Sequence, residues 1–172
     1  GVSWTKNSNI DGDLYNSILS FPTAGISMSF DGNRQIIVCE AIYLSTDYGN
    51  SWTTTTIIDD QNGEFDDHNW VGCDMSSDGQ HMTAIEVTGE IYTSSDFGNN
   101  WTKNENNNVR DRQWQDVSIS SSGKYQTAVE KNGYVFISID YGVTWQISPD
   151  TKLFAQGWQS ISVSSSGKHQ SV

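Results

Sequence analysis

Short stretches in which apolar and polar residues alternate run along most of the chain, separated by turns rich in Gly, Asn, Asp and Ser. The clearest run predicts four strands, at Gln115–Ser120, Tyr125–Glu130, Tyr134–Ser138 and Thr144–Ile147. Ser121-Ser122-Gly123-Lys124, Lys131-Asn132-Gly133 (an Asn-Gly hairpin signal) and Asp140–Gly142 supply the turns between them. Helical periodicity is absent apart from Leu14–Phe21, which is long enough for a turn or so. The pattern therefore predicts an all-β chain.

That pattern repeats. Ser45-Thr46-Asp47-Tyr48-Gly49-Asn50-Ser51-Trp52 returns as Ser94-Ser95-Asp96-Phe97-Gly98-Asn99-Asn100-Trp101 and as Ser138-Ile139-Asp140-Tyr141-Gly142-Val143-Thr144-Trp145. A second element keeps step: Trp70, Trp114 and Trp158 each precede a turn glycine (Gly79, Gly123, Gly167) by nine residues, and Thr23 precedes Gly32 likewise. These glycines are 47, 44 and 44 residues apart. Four strands per repeat of that length predict a β-propeller built from four-stranded antiparallel blades. The expected layout is an outer strand of a preceding blade in 1–10, blade 1 in 11–57, blade 2 in 58–106, blade 3 in 107–150, and two strands of a fourth in 151–172, all within one domain spanning 1–172. About three and a half blades are fewer than the four to eight that close a ring. The sequence leaves two readings open, a piece of a longer propeller or copies that associate to complete the ring.

The eight-residue motif resembles the Asp-box, or BNR repeat, of sialidase-type β-propellers. Ser45, Asp47, Gly49 and Trp52, then Ser94, Asp96, Gly98 and Trp101, then Ser138, Asp140, Gly142 and Trp145 match it in full, and Gly1-Val2-Ser3-Trp4 matches its tail. The resemblance implies a structural turn on the periphery, away from the ligand face, and so a fold and not an activity. The residue chemistry agrees: Gly tolerates positive φ, Asp accepts backbone N–H groups, and Trp folds back under the turn. A sialidase would also need three arginines and a Tyr–Glu pair. Only Arg34, Arg110 and Arg112 are present, with Arg34 expected on the opposite face, and the Arg-Ile-Pro signature is missing. The resemblance is thus to a non-sialidase member.

Composition narrows the partners. Nine Lys and Arg against 21 Asp and Glu give a net charge of −12, the wrong sign for holding a phosphate backbone. Nucleic acid is therefore not expected, and with no run of 18 apolar residues neither is membrane insertion. Two cysteines make neither a disulfide framework nor a four-ligand zinc site. Cys73 aligns with Val117 and Ile161 and is expected as a small buried apolar residue, while its pairing with Cys39 stays open. The N-terminal residues are polar and show no signal peptide.

Candidate ligand residues gather on the loops that open each blade. Trp70, Trp114 and Trp158 read either as platforms for sugar rings or as wedges between blades. Glu86 and Glu130, at equivalent second-strand ends, read as ligand acceptors or as solvated strand ends. Arg110 and Arg112 form the only close arginine pair, suited to a carboxylate or to local pairing with Asp111. The acidic loop Asp59–Asn69, with Asp66 and Asp67, offers carboxylates for a cation or for glycoside chemistry, and a solvated loop is its default reading. Asn7–Leu14 has the oxygen spacing of an EF-hand opening, but Ile18 stands where a bidentate Glu is needed. No metal site or cofactor is expected, with weak Ca²⁺ binding left open, and no catalytic residue is assigned. The expected function is a non-catalytic binding or scaffold module for glycan or protein, extracellular, cell-surface or virion-associated as in proteins with similar tandem units. The alternative is a glycoside hydrolase whose catalytic residues lie partly outside this chain.

Overall fold

A computed structural model describes residues 25–55, 57, 68–150 and 157–172. Three four-stranded antiparallel sheets follow one another in sequence. Blade 1 holds β1 (Gly25–Met28), β2 (Gln35–Val38), β3 (Ile42–Ser45) and β4 (Thr53–Thr55). Blade 2 holds β5 (Trp70–Met75), β6 (Met82–Glu86), β7 (Ile91–Ser94) and β8 (Thr102–Lys103). Blade 3 holds β9 (Trp114–Ile119), β10 (Gln126–Glu130), β11 (Val135–Ser138) and β12 (Gln146–Ile147). A two-stranded sheet, β13 (Ser162–Val163) with β14 (Gln170–Ser171), completes the described chain. Every sheet is a simple meander, each strand pairing with the next. The expected outer strand in 1–10, the turn at Leu14–Phe21 and the Asn7–Leu14 segment fall outside the described residues.

Apolar residues point to both faces of blades 2 and 3, because each of these blades is covered on both sides by its neighbours. Ile36, Val38 and Ile42 of blade 1 pack with Cys73, Met75, Met82 and Tyr92 of blade 2. Ile85 and Ile91 of blade 2 pack with Val117, Ala128, Phe136 and Trp145 of blade 3. Val129 and Val135 of blade 3 pack with Ile161. The core thus consists of layers between blades.

Two carboxylates that the sequence reading passed over stitch the innermost strands together. Asp74 on β5 accepts from Ser27 Oγ of blade 1 at 2.7 Å, and from Ile119 N–H and Ser118 Oγ of blade 3 at 2.7 and 3.2 Å. Asp116 on β9 does the same one blade on, accepting from Ser160 Oγ at 2.7 Å and Ile161 N–H at 2.9 Å. Burial pushes the Asp74 carboxyl above the usual range, against the lowering effect of its donors, of which Ser27 is the strongest. Cys39 and Cys73 are both buried free thiols, so they do not pair, and desolvation raises both.

Several strands differ from expectation. The fourth strand of blade 3 begins at Gln146, because Thr144 and Trp145 are held by the box turn, and β13 and β14 are shorter than the other first and second strands, two residues each. The Asn-Gly signal does not give a turn of two left-handed residues. Gly133 is needed for space instead, since a Cβ there would overlap the Glu130 carboxylate.

Candidate functional site

One end of the blades carries the box turns. In each, the Ser hydroxyl accepts the Gly N–H (Ser45 from Gly49 and Ser94 from Gly98 at 2.9 Å, Ser138 from Gly142 at 3.0 Å) and donates to the box Asp. The Asp carboxylate accepts the N–H and side chain of Ser51, Asn100 or Thr144 four residues on. The Trp indole donates back to the Gly carbonyl at 3.0–3.1 Å. The Ser, Asp and Trp side chains of the motif are thus engaged within the turn.

The opposite end carries the second-to-third-strand hairpins and the loops that enter each first strand. Val87 N–H donates to Asn69 C=O and Lys131 N–H to Gln113 C=O, both at 2.8 Å, which binds hairpin to entry loop within a blade. The three tryptophans sit at this seam. Trp114 Nε1 donates to Gly89 C=O at 3.2 Å and Trp158 Nε1 to Gly133 C=O at 2.9 Å, each reaching the hairpin of the preceding blade. Trp70 and Trp114 are each 1% exposed. Neither ring has a free face, so the sugar-platform expectation for them gives way to the wedge; Trp158 is half-buried against Val129, Val135 and Ile161.

Glu86 and Glu130 also take a structural role in place of the expected ligand contact. Each holds the hairpin that follows it by accepting an amide four residues on, Glu90 N–H at 3.2 Å and Tyr134 N–H at 2.9 Å. The second oxygen of each meets the residue two before the blade's tryptophan: His68 Nδ1 at 2.8 Å from Glu86, and Arg112 at 3.0 Å from Glu130. His68 lies against Trp70 and Tyr92, and its Nε2 is buried without a partner among the described residues. A repeated signal, Glu followed three residues later by Gly (Glu86–Gly89, Glu130–Gly133), marked this clasp in the sequence.

Arg110 and Arg112 do not pair with Asp111. Arg110 reaches Glu105 at 3.2 Å and Glu90 at 3.8 Å, and Arg112 also covers the Phe136 ring at 5.0 Å. Glu90 is buried, and desolvation raises its carboxyl despite Lys103 and Arg110 nearby. Asp111 itself adopts φ +55°, the one described non-glycine residue at positive φ outside the boxes. A pair of backbone bonds between Arg112 and Gly89 holds it there, at 3.0 and 3.4 Å.

Between this loop and the blade 3 hairpin lies a cavity of ≈310 Å³ lined by Arg110, Asp111, Arg112, Gln113, Glu130 and Asn132–Gly133. Of the expected ligand residues, the cavity brings together Arg110, Arg112 and Glu130. Asp66 and Asp67 lie outside the described residues. Among the described residues no group of three or more His, Cys, Asp and Glu could hold a metal ion, and no helix is long and apolar enough to cross a membrane.

Meander blades packed face to face, with a box at each third turn, define a β-propeller segment. The BNR-Asp box repeat family model matches residues 91–104, covering β7, the second box and β8. No curated protein sequence matches the chain. Among solved structures it resembles YCF48 bound to a D1 peptide (TM-score 0.60, 15% identity, 73% of this chain and 40% of that one). A GH74 enzyme from Niastella koreensis is also similar (TM-score 0.55, 20% identity, 72% of this chain and 17% of that one). So is the hydrazine synthase of Kuenenia stuttgartiensis (TM-score 0.62, 14% identity, 98% of this chain and 44% of that one). At such identities the common property is the fold, and this chain covers less than half of each of the three.

Proposed function

We propose that the chain is a protein-binding propeller segment that takes a peptide stretch of its partner at the cavity between Arg110–Gln113 and Glu130–Gly133. The observation that carries this reading is the cavity itself, on the loop end, where the Gln113 and Asn132 amides, the exposed Arg110 and the Asp111 carboxylate, unpaired among the described residues, supply the donors and acceptors of a peptide site. Burial of Trp70 and Trp114 weighs against glycan stacking. The YCF48 structure with its D1 peptide is a propeller of similar fold with a peptide bound. The hydrolase reading draws on the GH74 enzymes of the same fold, but it needs two available carboxylates. Both Glu130 oxygens are occupied at this cavity, which leaves Asp111 alone.

Panning a random 12-residue phage-displayed peptide library against the chain tests the reading. Enriched peptides are expected to lose at least tenfold in affinity for the Arg110→Glu and Asn132→Lys chains, while a Lys168→Glu control leaves them unaffected. Peptides indifferent to both cavity variants would refute it, as would cleavage of an aryl glycoside by the chain.

A further inference from the structure

Blade 3 departs from blades 1 and 2 at the surface of its box. Ile139, Tyr141 and Val143 are 56%, 41% and 67% exposed within one turn. Blades 1 and 2 carry Thr46 and Ser95 where blade 3 has Ile139, and Asn50 and Asn99 where it has Val143. The aromatic position alone is common to all three, as Tyr48, Phe97 and Tyr141. Ser95, Phe97 and Asn99 are exposed although blades 1 and 3 lie on either side of them. Exposure at these positions is thus a property of the turn, whatever blades flank it.

Folding does not account for the change. Asn50 and Asn99 each donate a side-chain N–H to the carbonyl of the box Asp at 2.6 Å, a bond that Val143 cannot make. One exposed apolar residue needs no explanation. Three in one turn, two of them standing where the other blades are polar, form the kind of patch that marks an interaction site.

The charge beside the patch changes in step. In the β1–β2 and β5–β6 turns, Asp31 and Asp78 accept the N–H of Asn33 and Gln80 at 3.0 Å. In the β9–β10 turn Ser122 takes that role, accepting Lys124 N–H at 3.3 Å. The turn keeps its bond, loses an anion and gains a cation. Lys124 is exposed, and its carbonyl accepts Tyr141 N–H at 3.1 Å, which sets it beside the box. His81 of blade 2 stacks on Tyr141 at 4.6 Å. The Asp140 carboxylate is engaged by Ser138 and Thr144. In a chain of net charge −12, the blade 3 box is a local apolar surface with a cationic rim.

We propose that Ile139, Tyr141, Val143 and Lys124 dock an acidic segment of a partner protein that also carries apolar side chains. Those side chains bury against the turn, and a carboxylate of the segment pairs with Lys124. The surface lies at the opposite end of blade 3 from the cavity and acts independently of it. The chain's overall negative charge opposes the other occupant of such a patch, an anionic membrane.

Panning a phage-displayed peptide library restricted to Asp, Glu, Ser, Gly, Leu, Phe and Trp tests this. The comparison chain carries Lys124→Gln, Ile139→Ser and Val143→Asn, the residues of blade 2, and so keeps a turn that the fold already uses. Enriched peptides are expected to lose about tenfold or more in affinity for that chain, to bind Arg110→Glu as they bind the wild type, and to weaken as salt is raised. Failure to enrich any peptide, or equal binding to the comparison chain, would overturn the docking site. Peptides that depend on Arg110 would overturn it too, while leaving the cavity reading standing. Sedimentation with phosphatidylcholine–phosphatidylserine vesicles should pellet neither chain. Wild-type pelleting that the triple substitution abolishes would assign the patch to lipid and overturn the proposal.

Discussion

At each box two successive residues sit in the left-handed region: Tyr48 and Gly49, Phe97 and Gly98, Tyr141 and Gly142, with φ of 61–65° at the aromatic and 80–82° at the glycine. An aromatic residue there costs on the order of 1 kcal/mol, and the Ser hydroxyl offsets it by accepting the Gly N–H and donating to the Asp. Ser138 is buried, so Ser138→Ala leaves a buried amide without an acceptor and should destabilise by about 1–3 kcal/mol, measured by urea denaturation. An unchanged midpoint would contradict the turn chemistry. The box carboxyls also set an acid limit. Asp47 and Asp96 are lowered first by the Ser51 and Asn100 side chains; at Asp140 burial raises the value, but the Thr144 and Ser138 bonds outweigh it. A carboxyl lowered by folding contributes stability above its unfolded value of about 3.9 and loses it as pH falls through the folded value. Thermal midpoints should therefore drop below about pH 4, the unfolded carboxylate range. A chain with Asp47, Asp96 and Asp140 all changed to Asn should show a shallower drop, whereas parallel profiles would contradict the assignment.

At the scale of the element, the blade is an internal meander, but its stability lies between blades. Trp114 joins the layer with Ile85, Ile91 and Phe136 and donates to the hairpin of blade 2. Trp114→Ala should cost about 3–5 kcal/mol and remove ligand binding only by unfolding, seen as loss of the β-type circular dichroism at moderate urea. Retained stability would return the ring to the candidate ligand residues. The blade and its box were legible in the sequence because their determinants are local: a fixed spacing of Ser, Asp, Gly and Trp, and alternation between turns. The role of the tryptophans was not, because whether Trp114 is a platform or a wedge depends on Gly89, a contact across 25 positions and between two blades. Asp74 and Asp116 escaped notice for the same reason, since their partners lie 44 or more residues away. The clasps at Glu86 and Glu130 were within reach, their amide partners being only four residues on.

At the scale of the molecule, the two ends of the arc differ in their chemistry. On the box end the Ser, Asp and Trp side chains of each motif are engaged within the turn; on the loop end the hairpins and entry loops leave a cavity, with a strained aspartate between two arginines that pair with glutamates. Arg110 and Arg112 could be anticipated as a pair, but their ion pairs run to Glu90, Glu105 and Glu130, which leaves Asp111 without an ion-pair partner among the described residues. The proposed peptide site is this cavity. Hydrogen–deuterium exchange of the chain with and without a library-selected peptide tests it most directly. New protection is expected at Arg110–Gln113 and Glu130–Gly133 with the box turns unchanged; protection confined to the box end, with none at those loops, would overturn the cavity assignment.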